Sequence, residues 1–507
     1  MAHLINENFP LKKDLNTLLK VYLGPHKQKA KTLELDLVTE TYGWANVPAE
    51  MMRHYATMDA HLTLELFQAL RNHPTWIAEN LDDYWPFKRE LINVVRVMES
   101  RGILLDKVYC ERMRVLAANS MADYQEMIAD FNPNSTKSQY HYLVEILGIP
   151  EYKVLKKKKV KQEDGSVEVE EHWAVTFDAN SYEEHWGPWL ERLNHPVAEY
   201  VLGFRGWKKA DSAFYRSYLE HVSPDGRLRP DYKHHKDEDS GGTVTGRLSC
   251  ANPNLQQIPK TDAKKMLKKP WNAGVKRSFI PTPGYELWEV DYSQLELRLG
   301  TAYADVKELM EVFNDETRDI FNEIAAKIGL ERDPTKTYVY STQYGAGINR
   351  LVSALGVTPA EAAKIRDDYY AAYPGFRNIQ DTVKSMCMRN KKVELWSGRY
   401  RHFSNPRKEA HKSFNSVIQG GAADIVERKM IEVYHKVDQV SNGEVRMLLQ
   451  VHDSIIFEIK SGRAEYWIPR IKEIMSNVNS LRPGGFGVHF SVDAHPLHDN
   501  YKGENNG

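Results

Sequence analysis

Apolar residues recur along most of the chain at the three-to-four-residue spacing of amphipathic helices. This spacing predicts mainly helical structure over residues 1–84, 85–150 and 303–400, with further helices up to about residue 222. The helical prediction includes the segment LINVVRVMESRGILL, which ends at Leu105.

Strand patterns occur in three places. Residues 152–175 resemble a strand pair with a tight turn at Asp164-Gly165. ELWEVDY (286–292) predicts one strand, and MLLQVHDSIIFEI (447–459) predicts a hairpin folded at His452-Asp453. Because helices are separated along the chain from a small antiparallel sheet, the pattern predicts an α+β fold.

Composition limits the compartment and the kinds of site. The 507 residues, 42% of them hydrophobic, suffice for roughly two to four domain-sized units. No apolar run approaches the roughly 20 residues of a membrane span, and the first residues lack the pattern of a signal peptide. The three cysteines, Cys110, Cys250 and Cys387, are far apart, which argues against a disulfide framework or clustered zinc site and indicates a reducing compartment.

Charge is almost balanced overall but clustered locally. The formal net charge is −1, yet Lys156 to Lys159 form a run and residues 260–277 contain a second basic cluster. Such clusters are either solvated surface or sites of phosphate contact. Charge alone therefore leaves a nucleic-acid partner open.

Two aspartates end the two central strand segments. Asp291 and Asp453 each follow apolar residues, so a buried strand delivers each carboxylate to its exposed end. A buried carboxylate is costly unless it is paired or bound to metal. Two Mg²⁺ ions about 4 Å apart can relieve the repulsion between converging carboxylates and clamp phosphates. The alternative is that each aspartate only caps a turn.

Between these strands, the segment RDPTKTYVYSTQYGAG (332–347) predicts a helix. Asp333 suits the N-cap position and Pro334 suits the first helical position. Gly345 and Gly347 are suitable helix stops.

One face of this helix carries residues that suit a nucleotide. Lys336, Tyr340 and Tyr344 recur every four residues and therefore share a face. With Arg332 at the helix start, they offer cations for a triphosphate and rings for stacking on a sugar or base. The alternative is an amphipathic helix whose tyrosines lie in the core.

In order and spacing, three segments resemble the catalytic motifs of family A DNA polymerases. They are DYSQLELR (291–298), RDPTKTYVYSTQYGAG (332–347) and VHDS (451–454). The resemblance implies a template-directed DNA polymerase that adds deoxynucleotides to a primer 3′ end by two-metal nucleotidyl transfer in DNA replication.

The resemblance covers nearly the whole chain and implies the right-hand polymerase fold. We expect a truncated, RNase H-like 3′–5′ exonuclease remnant over residues 1–84 and a thumb over 85–230. The palm would use residues 231–305 and 405–507, with the fingers over 306–404 between them.

The resemblance also implies the metal and triphosphate ligands. Asp291, Tyr292 and Asp453 would hold two Mg²⁺ ions, for which Mn²⁺ would substitute. Arg332 and Lys336 would bind the incoming triphosphate, and Lys336 would also protonate the leaving pyrophosphate. Asp291, Asp453 and Lys336 are thus the expected catalytic residues.

Four further residues would select the nucleotide. Tyr340 would pack on the sugar and, as a phenol, take the place of a 3′-hydroxyl, so we expect dideoxynucleotides to be accepted almost as readily as normal ones. Glu296 would exclude ribonucleotides, and Ser293 and Gln294 belong to the same expected site. Single-subunit RNA polymerases are the nearest rival family, and Glu296 argues against them.

Contacts to primer and template are expected from segments that resemble those lining the duplex minor groove. Neutral amides and an arginine suit minor-groove acceptors, which are nearly the same on every correct base pair. The expected DNA-binding residues are Tyr344, Gly345, Arg247, Asn254, Gln256, Asn415, Gln419, His452 and His411.

Several positions depart from the usual family pattern. Ser454 stands where the third motif usually has Glu, close to the metals, and Phe321 stands where His is usual. Val339 and Ser341 flank Tyr340 in place of the commoner Asn and Gly. Some of these departures, with His411 in place of a usual Arg, resemble phage replicases, and none removes a metal ligand.

The N-terminal segment YATMDAHLTLELF (55–67) resembles one motif of the proofreading exonuclease, with Tyr55 and Asp59 matching. The upstream carboxylate motifs are absent, and one aspartate cannot hold two ions. We therefore expect no proofreading. The alternatives are that the missing half comes from a second polypeptide or has been removed by truncation.

The expected partners are primer-template DNA and deoxynucleoside triphosphates, with no membrane. The hairpin at 152–175 would track phosphates, bind a processivity factor or remain solvated. A separate exonuclease subunit is a further candidate partner. We expect a monomer in the cytoplasm of a bacterial or phage-infected cell. A standalone nuclease and a catalytically dead DNA-binding relative are the other rivals.

Overall fold

The computed structural model describes residues 1–8, 12–27, 33–128, 131–148, 153–161, 167–175, 196–236, 241–259, 270–272 and 274–497. Within these ranges, no helix is both long and apolar enough to cross a membrane. All three cysteines are buried free thiols.

The N-terminal region is helical, as predicted. Its helices are Ala2–Ile5, Leu15–Tyr22, Leu33–Tyr42, Ala49–Arg71 and Pro74–Ala78, with a 3₁₀ turn at Trp44–Asn46. Their apolar faces form a hydrophobic cluster around Leu19, Leu66 and Trp76 that is separate from the main core.

The next region is built on two long helices. Its helical elements are Leu81–Arg101, Lys107–Ile128, Thr136–Tyr140, His141–Ile146, Pro196–Ala210, Asp211–Tyr215 and Arg216–His221. The strands Lys153–Lys161 and Val167–Val175 pair antiparallel, which confirms the predicted strand pair. The predicted turn at Asp164-Gly165 lies outside the described residues.

The helical prediction for LINVVRVMESRGILL is wrong at its end. The helix stops at Arg101, and Ile103–Leu105 form a strand between the strands Arg227–Leu228 and Phe279–Ile280. Gly102 causes the break, because its φ of 62° lies in the left-handed region and a Cβ there would meet the Leu228 carbonyl oxygen at 2.4 Å.

A four-stranded antiparallel sheet lies in the main core; we call it the central sheet. Its strands, in spatial order, are Val445–Val451, Ser454–Lys460, Tyr285–Tyr292 and Val492–Pro496. The first two form the predicted hairpin, and His452 makes its turn with a φ of 59°. This sheet and the surrounding helices confirm the α+β prediction.

Helices fill the chain between the two halves of the central sheet, as predicted. They are Leu295–Ala304, Lys307–Asn314, Ile320–Ile328, Arg332–Gln343, Ile348–Leu355, Pro359–Ala372 and Pro374–Asn390. A small strand pair, Lys392–Glu394 with Tyr400–His402, follows them.

The helix Arg332–Gln343, which we call the nucleotide helix, begins two residues earlier than predicted. Its N-cap is Glu331, which makes no side-chain capping bond, so Asp333 is inside the first turn instead of capping it. The acidic side chain still suits this place, because the helix dipole favours negative charge there. Gly345 follows the helix end with a φ of 76°, as predicted for a stop.

The helix Ser413–Val433 runs through the main core and is buried along most of its length. It packs against the helices Leu81–Arg101, Leu295–Ala304, Pro374–Asn390 and Ala464–Ser476. The remaining short elements are Asp231–Lys233, Ser249–Ala251, Pro270–Asn272, Val275–Ser278, Pro406–Glu409, Ala410–Lys412, Tyr434–Asp438, Gln439–Ser441 and Val478–Leu481.

Candidate active site

The central sheet brings Asp291 and Asp453 together at one end of its strands. Asp291 is paired with Ser454 on the neighbouring strand, and Asp453 immediately precedes Ser454. The Tyr292 backbone N–H donates to the Asp453 carbonyl oxygen at 3.3 Å, which fixes the strand end to the hairpin turn. The two predicted catalytic aspartates are therefore neighbours in space, although 162 positions of sequence separate residues 291 and 453.

The Tyr292 side chain points away from the two aspartates at the strand ends. It is buried, and its hydroxyl donates to the Met475 carbonyl oxygen at 2.6 Å. Any metal contact from Tyr292 would therefore have to come from its main-chain carbonyl group.

A third carboxylate lies beside Asp291. Asp493 is its direct partner on the edge strand Val492–Pro496 and therefore shares its face of the sheet. The Ser293 hydroxyl donates to Asp493 Oδ2. Ser293, Gln294 and Asp493 also line a cavity of about 720 Å³ that opens next to the strand ends.

A fourth carboxylate, Glu289, is buried on the same strand two residues before Asp291. Its Oε1 accepts from the Ser454 hydroxyl at 3.1 Å, and its Oε2 accepts from Lys276 Nζ at 2.7 Å. His495 Nε2 lies 3.3 Å from the same Oε2. Burial alone would raise the pKa of Glu289, but the hydrogen bonds and charges of His495 and Lys276 lower it to about 2.

The predicted nucleotide face of the nucleotide helix is organised around Phe321. The buried Phe321 ring lies 5.6 Å from the Arg332 guanidinium carbon and 5.8 Å from Lys336 Nζ. Its centroid is 6.0 Å from that of Tyr340, whose ring in turn lies 6.5 Å from that of Tyr344. The four residues therefore share one face, as their spacing predicts. Tyr340 is partly buried and packs against the main core, and Tyr344 is exposed.

This face is within electrostatic reach of the strand ends. Burial, and after it the charge of Asp453, raises the pKa of Tyr340 to about 12. Arg332 is exposed and pairs with Asp319 at 2.8 Å, while Lys336 is exposed. Both cations are therefore accessible from solvent.

Glu296, at the start of the helix Leu295–Ala304, contacts both Tyr344 at the end of the nucleotide helix and Arg247. Its carboxylate is buried, accepts from the Tyr344 hydroxyl at 2.7 Å and pairs with Arg247. The Gln343 amide donates to the Glu296 carbonyl oxygen at 2.7 Å. Burial lowers the pKa of Arg247, although the charges of Tyr344 and Asp453 oppose this effect.

The residues predicted to contact DNA fall into two groups. Asn415 and Gln419 are one turn apart on the helix Ser413–Val433 and share a face. His411 lies next to the end of the nucleotide helix, where a Cβ on Gly345 would meet its carbonyl oxygen at 2.6 Å. His452 is exposed at the hairpin turn beside Asp453.

Gln256 and Asn254, also predicted to contact DNA, have structural partners within the protein. Gln256 is buried, and its amide donates to Gln450 Oε1 at 2.7 Å. Gln450 in turn donates to the His452 carbonyl oxygen, so Gln256 supports the turn that carries Asp453. Asn254 Oδ1 accepts from the Gln256 backbone N–H at 3.0 Å and fixes the local loop.

The donor set at the strand ends fits Mg²⁺. This ion is usually bound in proteins by one or two carboxylates together with substrate phosphates and water, rather than by a complete protein cage. Asp291 and Asp453 provide such a pair, and no cluster of three or more His, Cys, Asp or Glu side chains suited to a metal occurs in the described part of the chain.

Sequence reasoning missed Glu289 and Asp493. Asp493 lies on a five-residue edge strand whose pairing becomes visible only in three dimensions. Glu289 had one signal: a glutamate between Trp288 and Val290, within an otherwise apolar strand segment, requires a partner when the strand is buried.

Known proteins resemble this chain over most of its length. It is 29% identical over 464 residues to DNA polymerase I of Rhizobium leguminosarum, covering 86% of this chain and 42% of that protein. It is 29% identical over 423 residues to the thermostable DNA polymerase I of Thermus aquaticus, covering 78% and 46% respectively. The chain thus spans less than half the length of either relative.

A solved structure shares the fold. The polymerase domain of Pol1 from M. smegmatis, in complex with DNA primer-template and dNTP, matches with a TM-score of 0.76 at 23% identity. The match covers 97% of this chain and 79% of that chain. The polymerase architecture expected from the sequence is thereby confirmed.

The family model described as DNA polymerase family A matches residues 107–496, well over half of the 507 residues. The matched range contains the strand that ends at Asp291, the nucleotide helix and the hairpin that carries Asp453. This chain belongs to DNA polymerase family A.

Proposed function

We propose that the chain is a template-directed DNA polymerase that adds deoxynucleotides to a primer 3′ end in DNA replication. The observation that carries the proposal is the pairing that sets Asp291 and Asp453 side by side, within electrostatic reach of the nucleotide helix. Family membership independently supports the same activity.

Asp291 and Asp453, with the main-chain carbonyl of Tyr292, would hold two Mg²⁺ ions, with Mn²⁺ as a substitute. The ions, when bound, supply Lewis-acid activation and neutralise phosphate charge. The short hydrogen-bonded link between the strand end and the hairpin turn keeps both carboxylates in register. A rigid pair of ligands lowers the reorganisation needed when substrate arrives.

Arg332 and Lys336 would bind the triphosphate, because both are exposed cations on the face of the nucleotide helix. Arg332 would exchange its pairing with Asp319 for phosphate oxygens. Lys336 would donate a proton to the leaving pyrophosphate oxygen, for which an ammonium group is a suitable acid.

Tyr340 and Glu296 would select the sugar. The Tyr340 ring, held between Phe321 and Tyr344, would pack on the sugar and tolerate a missing 3′-hydroxyl. The Glu296 carboxylate, fixed by Arg247 and Tyr344, would close the space needed by a 2′-hydroxyl. Ser293 and Gln294 would line the triphosphate side, where they border a cavity.

The primer-template surface would be formed by the remaining predicted DNA contacts. These are Asn415, Gln419, His452, His411, Tyr344, Gly345, Arg247 and Asn254. The shared helix face of Asn415 and Gln419 supports this assignment, because successive amides can follow the minor groove. Gln256 would act indirectly, by supporting the hairpin turn through Gln450.

We further propose the palm, fingers and thumb boundaries given by the sequence resemblance, with residues 1–84 as an exonuclease remnant that does not proofread. The phage-like character, the cytoplasmic location, the monomeric state and a processivity or exonuclease partner belong to the same proposal. Departures at Val339 and His411 support the phage-like assignment.

Extension of a 5′-labelled primer on a defined template tests the proposal. With Mg²⁺ and all four deoxynucleotides, the wild-type chain should extend the primer to template length. Omitting one deoxynucleotide should stop extension at the first position that requires it. Extension that ignores the template, or ribonucleotide polymerisation at the same rate, would favour a different polymerase class.

A further inference from the structure

One face of the central sheet carries more acidic and basic groups than two-metal chemistry alone requires. Glu289 and Asp291 lie two residues apart on one strand and therefore point to the same face. His495 is the direct cross-strand partner of Glu289, and Ser454 is the direct partner of Asp291. Together with Lys276, these residues form what we call the Glu289 cluster.

Three members of the Glu289 cluster contact the Glu289 carboxylate. Its Oε2 lies 2.7 Å from Lys276 Nζ and 3.3 Å from His495 Nε2, while Ser454 donates to its Oε1 at 3.1 Å. Side chains at Lys276 and Glu289 are only 12% and 9% exposed, so this pair is not screened surface charge. Removing the carboxylate would leave a buried ammonium group without its counter-charge.

Asp291 is a second carboxylate on the same face, and its charge acts on His495. If Lys276 and His495 turned to Asp291, they would occupy the oxygens that the proposed function assigns to a cation. Ser454 matters as well, because its small side chain leaves the Glu289 carboxylate room. A glutamate at position 454, as in the usual family pattern, would direct a second carboxylate into this space.

Building on the proposed function, we propose that Glu289 is a positioning residue for metal binding. It takes the acidic role that a serine at position 454 leaves open, and it engages Lys276 and His495, so that neither side chain competes with a divalent cation for Asp291. Compared with the usual family pattern, the acidic side chain lies on the strand that carries Asp291 and not on the hairpin strand that begins at Ser454.

Mn²⁺ binding, measured by the electron paramagnetic resonance signal of the free ion during titration of the full chain, tests the role without reference to activity. Glu289→Gln should weaken Mn²⁺ binding about 10-fold, the lower end of the effect of groups that orient metal ligands. The double variant Glu289→Gln with Lys276→Met should recover most of that loss, because the competing ammonium group is gone.

A matched control is Glu458→Gln. Glu458 is also a buried carboxylate of the central sheet, held by Thr282 at the opposite end of the same strand as Ser454. Its loss should lower the melting temperature without changing Mn²⁺ affinity. An exchange variant, Glu289→Ser with Ser454→Glu, keeps one carboxylate in the cluster and should bind Mn²⁺ within about 3-fold of wild type.

Each outcome decides the matter. Unchanged Mn²⁺ affinity in Glu289→Gln, equal weakening in Glu458→Gln, or failure of Lys276→Met to restore binding would overturn the positioning role while leaving the proposed function intact. A wild-type chain that binds no Mn²⁺ with primer-template present would overturn the proposed function and, with it, this inference. If Glu289→Gln fails to fold, the exchange variant decides: affinity near wild type supports the role, and a 10-fold loss refutes it.

Discussion

At the scale of single residues, Glu296 is held in place by partners from two different elements. The Tyr344 hydroxyl donates to its carboxylate at 2.7 Å from the end of the nucleotide helix, and Arg247 pairs with it from the other side. A buried carboxylate with two partners has little freedom to move aside. The exclusion of a 2′-hydroxyl that we propose for Glu296 would therefore be rigid.

Glu296→Ala should therefore relax sugar selection. We expect the ratio of kcat/KM for a deoxynucleotide to that for the matching ribonucleotide to fall about 100-fold, because a filled volume becomes empty. Single-nucleotide incorporation kinetics measure this ratio. Tyr344→Phe, which removes one of the two partners of Glu296 and keeps the carboxylate, should give a smaller fall. An unchanged ratio in Glu296→Ala would remove Glu296 from sugar selection.

Tyr340 should decide how dideoxynucleotides are treated. Wild-type chain is expected to discriminate against them by less than about 10-fold, whereas Tyr340→Phe, which loses only the hydroxyl, should discriminate about 10–100-fold more, the effect of one lost polar contact. Competition between dideoxy- and deoxynucleotides on one template measures both values. A wild-type ratio in the hundreds would refute this role.

At the scale of elements, a buried ionic cluster fastens the N-terminal region to the polymerase core. His402, at the end of a short strand pair, lies 2.9 Å from Glu7 on one ring nitrogen and 2.9 Å from Glu79 on the other. Lys392 adds a contact of 2.6 Å to Glu79. Burial alone lowers the pKa of His402, but the two carboxylates raise it from 6.5 to about 9.

This cluster predicts a pH-dependent stability. Because the folded-state pKa of His402 is raised, its protonation stabilises the fold fully below about pH 6.5, and this contribution is lost as the pH rises through about 9. His402→Gln should lower the free energy of unfolding by about 2 kcal/mol at pH 6, as expected for hydrogen bonds to charged groups. The difference between variant and wild type should shrink at pH 9.5.

Chemical denaturation at the two pH values, followed by circular dichroism, checks this prediction. His61→Gln serves as the control, because His61 pairs with Glu65 on an exposed helix surface. An equal destabilisation by His402→Gln at both pH values would show that the imidazolium charge does not fasten the two regions.

At the scale of the whole molecule, the N-terminal helices form a hydrophobic cluster that is separate from the main core. That cluster includes Leu62 and Leu66 of the helix that also carries Tyr55 and Asp59, the two residues matching an exonuclease motif. The cluster reaches Ile431 on the helix Ser413–Val433. We interpret the region as structural support for the helix Ser413–Val433, which lies in the proposed palm.

Absence of proofreading is the consequence to test. The purified chain should leave a labelled mismatched 3′ end intact in Mg²⁺ without deoxynucleotides, over times in which it extends a matched primer fully. Asp59→Asn should behave identically. Degradation of the mismatched end by wild type but not by Asp59→Asn would contradict the remnant interpretation directly.

Much of this molecule could be predicted from sequence, for physical reasons. Apolar strand runs ending in Asp291 and Asp453 reveal both buried strands and the half-buried carboxylates at their ends. Four-residue spacing reveals the shared face of Lys336, Tyr340 and Tyr344. These signals are local, so one sequence contains them.

Features that depend on distant neighbours could not be predicted. Ile103–Leu105 continue a helical apolar pattern, yet they pair with strands more than 100 residues away. The sequence predicts that Gln256 offers its amide to DNA, but its side chain is buried and donates to Gln450, 194 positions away in sequence. Asp493 is invisible as a neighbour of Asp291 until the edge strand is placed.

The most direct test of the central claim is templated addition of one nucleotide by wild type, Asp291→Asn and Asp453→Asn in saturating Mg²⁺. Asp305→Asn is the control, because Asp305 is exposed in a left-handed conformation that Asn also tolerates. Our account predicts a loss of at least about 1,000-fold in kcat for both ligand variants, with folding intact and the control unchanged. Near-wild-type addition by either ligand variant would contradict it.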